Sequence, residues 1–292
     1  MSNAAQFRSL LARGGMIVAP GAFDCITARC VAQAGFPAVY MTGGGTSMCL
    51  GYPDYGLLTM TEMVANASRI ANTIDVPLIS DSDTGYGNEL NVFRTVQEFE
   101  RAGVAAIHLE DQVFPKVCSH VEGKGLELVS RADYVAKIRA AAAARKSKDF
   151  CIIARTDACA VAGLDEAVER ANLALGNGAD VIFLDAVRTM ADIEAVPKRV
   201  RGPCLINISS GGKSPEITLE TAERLGYAIA ILPGLLLRGV LEASDRLLAD
   251  LKQGKLPPAS SGGPATLFAR VGAAEWDERR TAFRDPIPAA AE

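Results

Sequence analysis

Residues 105–125 read AAIHLEDQVFPKVCSHVEGKG, and the fold follows from how this stretch begins. Ala105, Ala106, Ile107 and Leu109 make a short apolar strand, and its period-two alternation puts His108 and Glu110 on one face at the C-terminal end. The polar run after it, 112–127, is long for a strand-to-helix connection, and such loops in compact domains often serve as lids. Outward from here the same short apolar strand recurs, at 16–20, 38–41, 77–80, 150–154, 181–184, 204–206 and 228–232. Helical patterns lie between, at 26–34, 60–73, 91–102, 131–145, 164–176, 190–196, 215–225 and 235–251. Eight strands alternating with eight helices predict an α/β fold, a closed (β/α)8 barrel of the TIM type rather than an open sheet.

The strand endings carry the functional argument. ISDSD (79–83), IHLED (107–111), IARTD (153–157), IFLDA (182–186) and LINIS (205–209) each pass from apolar residues into acids, an arginine or an amide. In a barrel these ends share one rim, where the active sites of this fold lie. Asp81 and Asp83 stand two apart on one strand end and Glu110 joins them from the next, so a cation is needed to offset their repulsion. All-oxygen donors suit Mg2+ or Mn2+; a single acid in such a place would read as a helix cap. The glycines of TGGGTSMCLGYPDYG (42–56) bring bare amides to the rim, suited to a carboxylate or phosphate. Arg155 is the candidate for a bidentate grip on a substrate carboxylate, with pairing to Asp157 or Asp185 as the alternative. SSGGKS (209–214) is not a nucleotide-binding P-loop, because Asn207 stands where that motif needs glycine.

Cys118 sits between Lys116 and His120 in the long loop. A lone cysteine is usually a small core residue, but flanking cations lower a thiol pKa, and chemistry is the reading favoured here. Cys25, Cys30, Cys151 and Cys204 fall on apolar patterns and are expected in the core, and no paired spacing of a zinc site is present.

Hydrophobic residues make up 49% and charged residues 22% of the 292, with a net charge of -4, which argues against a nucleic-acid partner, and no stretch approaches the roughly 20 uninterrupted apolar residues of a membrane span. The N-terminal residues lack the apolar core of a signal peptide, so a cytoplasmic location is expected. The barrel is assigned to 1–250. The remainder, 251–292, opens on the linker-like LKQGKLPPASSGGPA and carries one helical piece at 267–283 with Trp276. So short a helix must pack on the barrel or on another subunit, and exchange between subunits would account for the linker.

YMTGGGTSMCLGYPDYG, DSDTGYG, HLEDQ, KVCSH, ARTDA and NIS, in this order and spacing, resemble the isocitrate lyase and phosphoenolpyruvate mutase superfamily over nearly the whole barrel. Length and loop sequence look most like its 2-methylisocitrate and 2,3-dimethylmalate (2-alkylmalate) lyase branch. The resemblance implies a Mg2+ ion on Asp81, with Asp54, Asp83 and Glu110 holding it or its waters. It implies that Thr42, Gly43, Gly44, Arg155, Asp185, Asn207 and Ser209 hold the substrate, and that Cys118 is the general acid of a mobile loop with Lys116 and His120 beside it. Tyr40 falls where a base has been suggested. A homotetramer with swapped C-terminal helices is implied as well. Val117 and Ser119 around the cysteine, and Asp185 in place of glutamate, depart from the lyase pattern and bear on substrate and rate. The expected activity is Mg2+-dependent cleavage of a 2-hydroxy di- or tricarboxylate, of the 2-alkylmalate or 2-methylisocitrate type, into an α-keto acid such as pyruvate and a second carboxylate. The alternatives are an oxaloacetate decarboxylase or hydrolase, a phosphonate enzyme, or an inactive acid-binding barrel.

Overall fold

The computed structural model describes residues 1–118, 125–209, 211, 214–256 and 263–284. Eight parallel strands follow the apolar runs: β1 (Ile17–Ala22), β2 (Val39–Met41), β3 (Leu78–Asp81), β4 (Ala106–Leu109), β5 (Cys151–Thr156), β6 (Val181–Leu184), β7 (Cys204–Asn207) and β8 (Ile229–Leu232). Each pairs with the next and β8 returns to β1, closing the barrel in chain order. β5 is buried along its whole length, as expected of a parallel strand covered on both faces.

Helices α1 (Asn3–Arg13) and α2 (Cys25–Gln33) flank β1, and α3 (Gly43–Cys49) and α4 (Met60–Ala71) follow β2. Then come α5 (Glu89–Arg101), α6 (Arg131–Ala144), α7 (Ala158–Val161), α8 (Leu164–Leu175), α9 (Met190–Arg199), α10 (Leu219–Arg224) and α11 (Leu235–Lys252), with α12 (Pro264–Ala269) and α13 (Ala273–Arg284) last. The starts of α2, α4 and α5 are set by capping boxes at Asp24, Thr59 and Asn88, each satisfying backbone N–H groups that have no helical partner.

Alternation along the strands divides the core. Ile17, Ala19, Tyr40, Ile79, Ile153, Phe183, Ile229 and Ile231 share the inner cluster, joined by Phe7 of α1. Val39, Leu78, Ile107, Leu109 and Ile152 belong to a cluster shared with α2, α4 and α5. Of the four cysteines expected in the core, Cys151 and Cys204 are buried, whereas Cys25 and Cys30 are only partly so.

Three helices before α8 depart from the sequence reading, the four-residue α7 and, with more consequence, α1 and α3. Helix α1 rests on little apolar patterning: Ser2 caps it by accepting from Ala5 N at 3.2 Å, and Phe7 alone is fully buried. Helix α3 forms from GGGTSMC although glycine disfavours helix by ~1 kcal/mol relative to alanine. Close packing explains it: a Cβ on Gly43 would lie 2.4 Å from Asp81 Oδ2, and one on Gly45 2.7 Å from Thr42 Cγ2.

The chain divides into two compact units, Met1–Val240 and Leu241–Glu292, the division falling inside α11. The second carries two helices, α12 and α13, where the sequence suggested one, and no residue of either is buried. No described helix is long and apolar enough to cross a membrane.

Candidate active site

Strand ends from β2 to β8 surround a cavity of about 410 Å3. Tyr40, Thr42, Gly44 and Asp54 line it from the β2 side, Asp81 from β3, and Lys116 and Cys118 from the segment after β4. Arg155, Asp185, Asn207 and Ser209 complete the polar wall, so residues spread along the chain from 40 to 209 converge as the rim argument required. Gly43, Asp83 and Glu110 are buried and add no wall. His120 lies outside the described residues.

The apolar wall is made by Met48, Phe183, Ile231, Pro233 and Leu237; Leu232 and Leu236 are not part of it. Ile231 belongs to the inner cluster, whereas Leu236 packs against the outer one.

Asp81 is the centre of the charge arrangement. Its Oδ1 accepts from Asp83 N at 2.9 Å and its Oδ2 from Gly43 N at 3.2 Å. Burial pushes its pKa up, but positive charge at His108, Lys116 and Arg155 and the Asp83 amide bring it down to about 2. His108 itself is held neutral, since burial lowers its pKa to about 4; near neutral pH the ionised Asp81 therefore depends on Lys116, Arg155 and the amide. Tyr40 Oη lies 2.8 Å from His108 Nε2, which is 3.6 Å from Asp81 Oδ1. Burial and the charge of Asp81 raise the Tyr40 pKa well above its usual value, so this side chain is a protonated phenol rather than a ready base.

Lys116, expected beside the thiol, directs its ammonium between Asp54 Oδ1 and Asp83 Oδ1, each 2.8 Å away. Even so, burial leaves Asp83 raised to about 6. Arg155 pairs with both acids that the sequence offered it and with a third: Asp157 Oδ1 at 3.0 Å, Asp185 Oδ2 at 2.8 Å and Glu110 Oε2 at 3.1 Å. Its guanidinium carbon is also 5.3 Å from the Phe183 ring centre. Burial drives Glu110 well above the usual carboxylate range against the pull of Arg155, and its Oε1 has no hydrogen-bond partner among the described residues.

The donor set fits a hard divalent cation. Six carboxylates, Asp54, Asp81, Asp83, Glu110, Asp157 and Asp185, meet only two cations among the described residues, Lys116 and Arg155. The excess negative charge and the orphaned Glu110 oxygen both call for further positive charge. Among the described residues no three His, Cys, Asp or Glu side chains are grouped so as to ligate one ion. An ion there would take few protein oxygens, which suits Mg2+.

Two supporting residues escaped the sequence reading. Gln112 Nε2 donates to Asp157 Oδ2 at 2.8 Å and its Oε1 accepts from Val117 N at 3.0 Å. Asp111 accepts from Thr156 Oγ1 at 2.6 Å, Asp157 N at 2.9 Å and Arg170 Nη1 at 3.2 Å. Both stand in the quoted HLEDQ motif, but a polar residue directly after a strand does not by itself declare its partners.

The phosphoenolpyruvate phosphomutase family model matches residues 7–252. The 2,3-dimethylmalate lyase of Eubacterium barkeri is 48% identical over 234 residues, 80% of each chain. The 2-methylisocitrate lyase of Aeropyrum pernix is 42% identical over 246 residues, 84% of this chain and 79% of the other. Among solved structures, oxaloacetate acetylhydrolase bound to 3,3-difluorooxalacetate superposes with a TM-score of 0.92 at 38% identity, covering 96% of this chain and 97% of that one. Phosphonopyruvate hydrolase bound to oxalate and Mg2+ gives 0.84 at 28% identity, covering 98% and 99%.

Proposed function

The chain belongs to the phosphoenolpyruvate phosphomutase family, within the isocitrate lyase superfamily, and from that premise we propose that it is a carbon-carbon lyase of 2-alkylmalates. The observation that carries the reading is Cys118 lining the same cavity as Asp81 and Arg155. A thiol there is placed to protonate a carbanion.

The rest of the wall supports an alkyl dicarboxylate over a tricarboxylate. Lys116 and Arg155 are the only cations among the described lining residues, and both already face carboxylates. A third substrate carboxylate would find no further positive charge among them, whereas Met48, Phe183, Ile231, Pro233 and Leu237 offer apolar surface to methyl groups. The name of the 48%-identical relative agrees.

In this mechanism Asp81 would hold Mg2+, with Asp54, Asp83 and Glu110 supporting it. Bound there, Mg2+ supplies Lewis-acid polarisation of the 2-hydroxyl and its adjacent carboxylate. Arg155, Asn207 and the amide of Gly44 orient the carboxylates, while the Gly43 amide is already taken by Asp81, and the Tyr40 phenol, fixed by His108, orients the hydroxyl. The hydroxyl passes its proton to Tyr40 Oη as Tyr40 passes its own to the neutral His108 Nε2, 2.8 Å away; the C2–C3 bond breaks to leave an α-keto acid, and the bonding pair remains on C3. Cys118 gives its thiol proton to C3, completing the second carboxylate.

Pyruvate release from 2,3-dimethylmalate, 2-methylmalate, 2-methylisocitrate and oxaloacetate, followed by lactate dehydrogenase with the second product quantified, tests this. Equimolar pyruvate and propionate from 2,3-dimethylmalate, lost in Cys118→Ser, is the expected result. Oxaloacetate hydrolysis is the second reading, supported by the likeness to oxaloacetate acetylhydrolase; oxalate and acetate formed only from oxaloacetate would overturn the lyase.

The exposed apolar side chains of the second unit, Leu267, Phe268, Trp276 and Phe283, further support a homotetramer in which copies of the chain cover them.

A further inference from the structure

Gln112 uses both ends of its amide, and its two neighbours fix which end is which. Val117 N only donates and the Asp157 carboxylate only accepts, so Oε1 must face the amide at 3.0 Å and Nε2 the carboxylate at 2.8 Å. Gln112 and Asp157 are both buried. Asp157 is itself anchored, its backbone N donating to Asp111 Oδ1 at 2.9 Å while its other oxygen takes Arg155 Nη2 at 3.0 Å. An unbroken chain of hydrogen bonds thus runs from the cavity arginine through Asp157 and Gln112 to the peptide that precedes Cys118.

The cysteine-bearing segment is tied down at two further places. Its stem is held where Gln112 bridges Leu128 and where Val113 N meets Glu127 O at 2.8 Å and Val129 N meets Asp111 O at 2.9 Å. On its other side it is held by Lys116, through Asp54 and Asp83, and by Gly56, where an added Cβ would come 3.0 Å from Lys116 N. The stem bonds fix where the segment leaves the barrel. The Gln112 bond to Val117 fixes where it arrives, one residue before the thiol.

We propose that Gln112 is a positioning residue, which through Asp157 locks the Lys116–Cys118 segment to Arg155 and so sets the thiol against the group that holds the substrate. The role assigned to the thiol rests on the lyase reading. The lock itself does not.

Reversing the polarity of the bridge tests it. Gln112→Glu sets two carboxylates against each other, and Asp157→Asn sets an amide N–H against an amide N–H unless Gln112 turns and releases Val117. The double variant, Gln112→Glu with Asp157→Asn, restores every bond. Its amide at position 157 accepts from Arg155 and donates to the carboxylate at position 112, whose other oxygen accepts from Val117 N. Each single variant is expected to raise the iodoacetamide alkylation rate at Cys118, read by peptide mass spectrometry, by about five-fold, with Cys49 unchanged as internal reference. Each is expected to lower kcat on 2,3-dimethylmalate by about ten-fold or more, with KM within about two-fold. The double variant should return both toward native values. A double variant no better than the worse single, or single variants with native alkylation, overturns the lock. A native protein inactive on every diacid sinks the lyase reading instead, and the alkylation series still decides. Gln112→Met, which cuts both bonds without adding charge, replaces Gln112→Glu if that protein does not fold.

Discussion

Gly43 N donates to Asp81 Oδ2 over 3.2 Å, and a methyl group added to Gly43 would come within 2.4 Å of that same oxygen. Helix propensity alone would make Gly43→Ala stabilising by ~1 kcal/mol, since the residue lies in α3 and has no positive φ. The site predicts the opposite for function. Asp81 must move, and with it the one carboxylate that both lines the cavity and is held ionised at about 2. We expect Gly43→Ala to remain folded while Mg2+ affinity, measured by calorimetry, falls about ten-fold or more. Unchanged affinity would remove Asp81 from the metal assignment.

Arg155 is buried against Glu110, Asp157 and Asp185, and lysine has a single nitrogen with which to meet them. Arg155→Lys leaves at least one buried carboxylate uncompensated, which should cost about 3 kcal/mol in urea unfolding. Turnover should fall by about a hundred-fold, because the substrate grip loses its fork. A variant as stable as native would mean that these acids are neutral, not ion-paired.

The barrel was legible because eight apolar runs ended in polar residues at regular spacing, and strands buried on both faces leave that trace whatever their partners. Asp81, Arg155 and Cys118 were legible because an acid, an arginine or a thiol at a strand end is chemically conspicuous. The engagement of Lys116 was not: sequence distance put it beside Cys118, and only the approach of Asp54 and Asp83 shows where the ammonium goes. Gln112 was invisible for a related reason, since an amide declares its role only through partners far along the chain, here Asp157. Helix α3 was hidden because its glycines obey tertiary clearance and not local propensity.

Glu166 predicts an acid-dependent stability. Arg131 and Arg170 hydrogen-bond its carboxylate, Arg131 first in importance, and hold its pKa at about 2 against an ordinary 4.5. A folded pKa below the unfolded one gives stability that is fully present above about 4.5 and is lost as pH falls toward 2. Native protein should therefore exceed Glu166→Gln by about 1 kcal/mol at pH 7, the scale of a part-exposed pair, and the gap should narrow below pH ~4.5. A gap that holds constant between pH 7 and roughly 3.5 in urea titrations would assign the loss to packing.

Trp276 is the only tryptophan of the chain and lies 64% exposed on α13, beside which Phe283 is 86% exposed. A helix of 12 residues is marginal alone in water, so α13 needs cover for these rings. If further copies of the chain provide it, the indole is shielded only in the assembly, and its emission becomes a concentration gauge. Dilution should move the emission to longer wavelength over the same range in which light scattering shows the tetramer dissociating. A chain ending at residue 256 should show a smaller mass at every concentration. Emission already at the solvated wavelength in concentrated protein, with a monomeric mass, would refute the subunit contact and leave these side chains as solvent-facing surface.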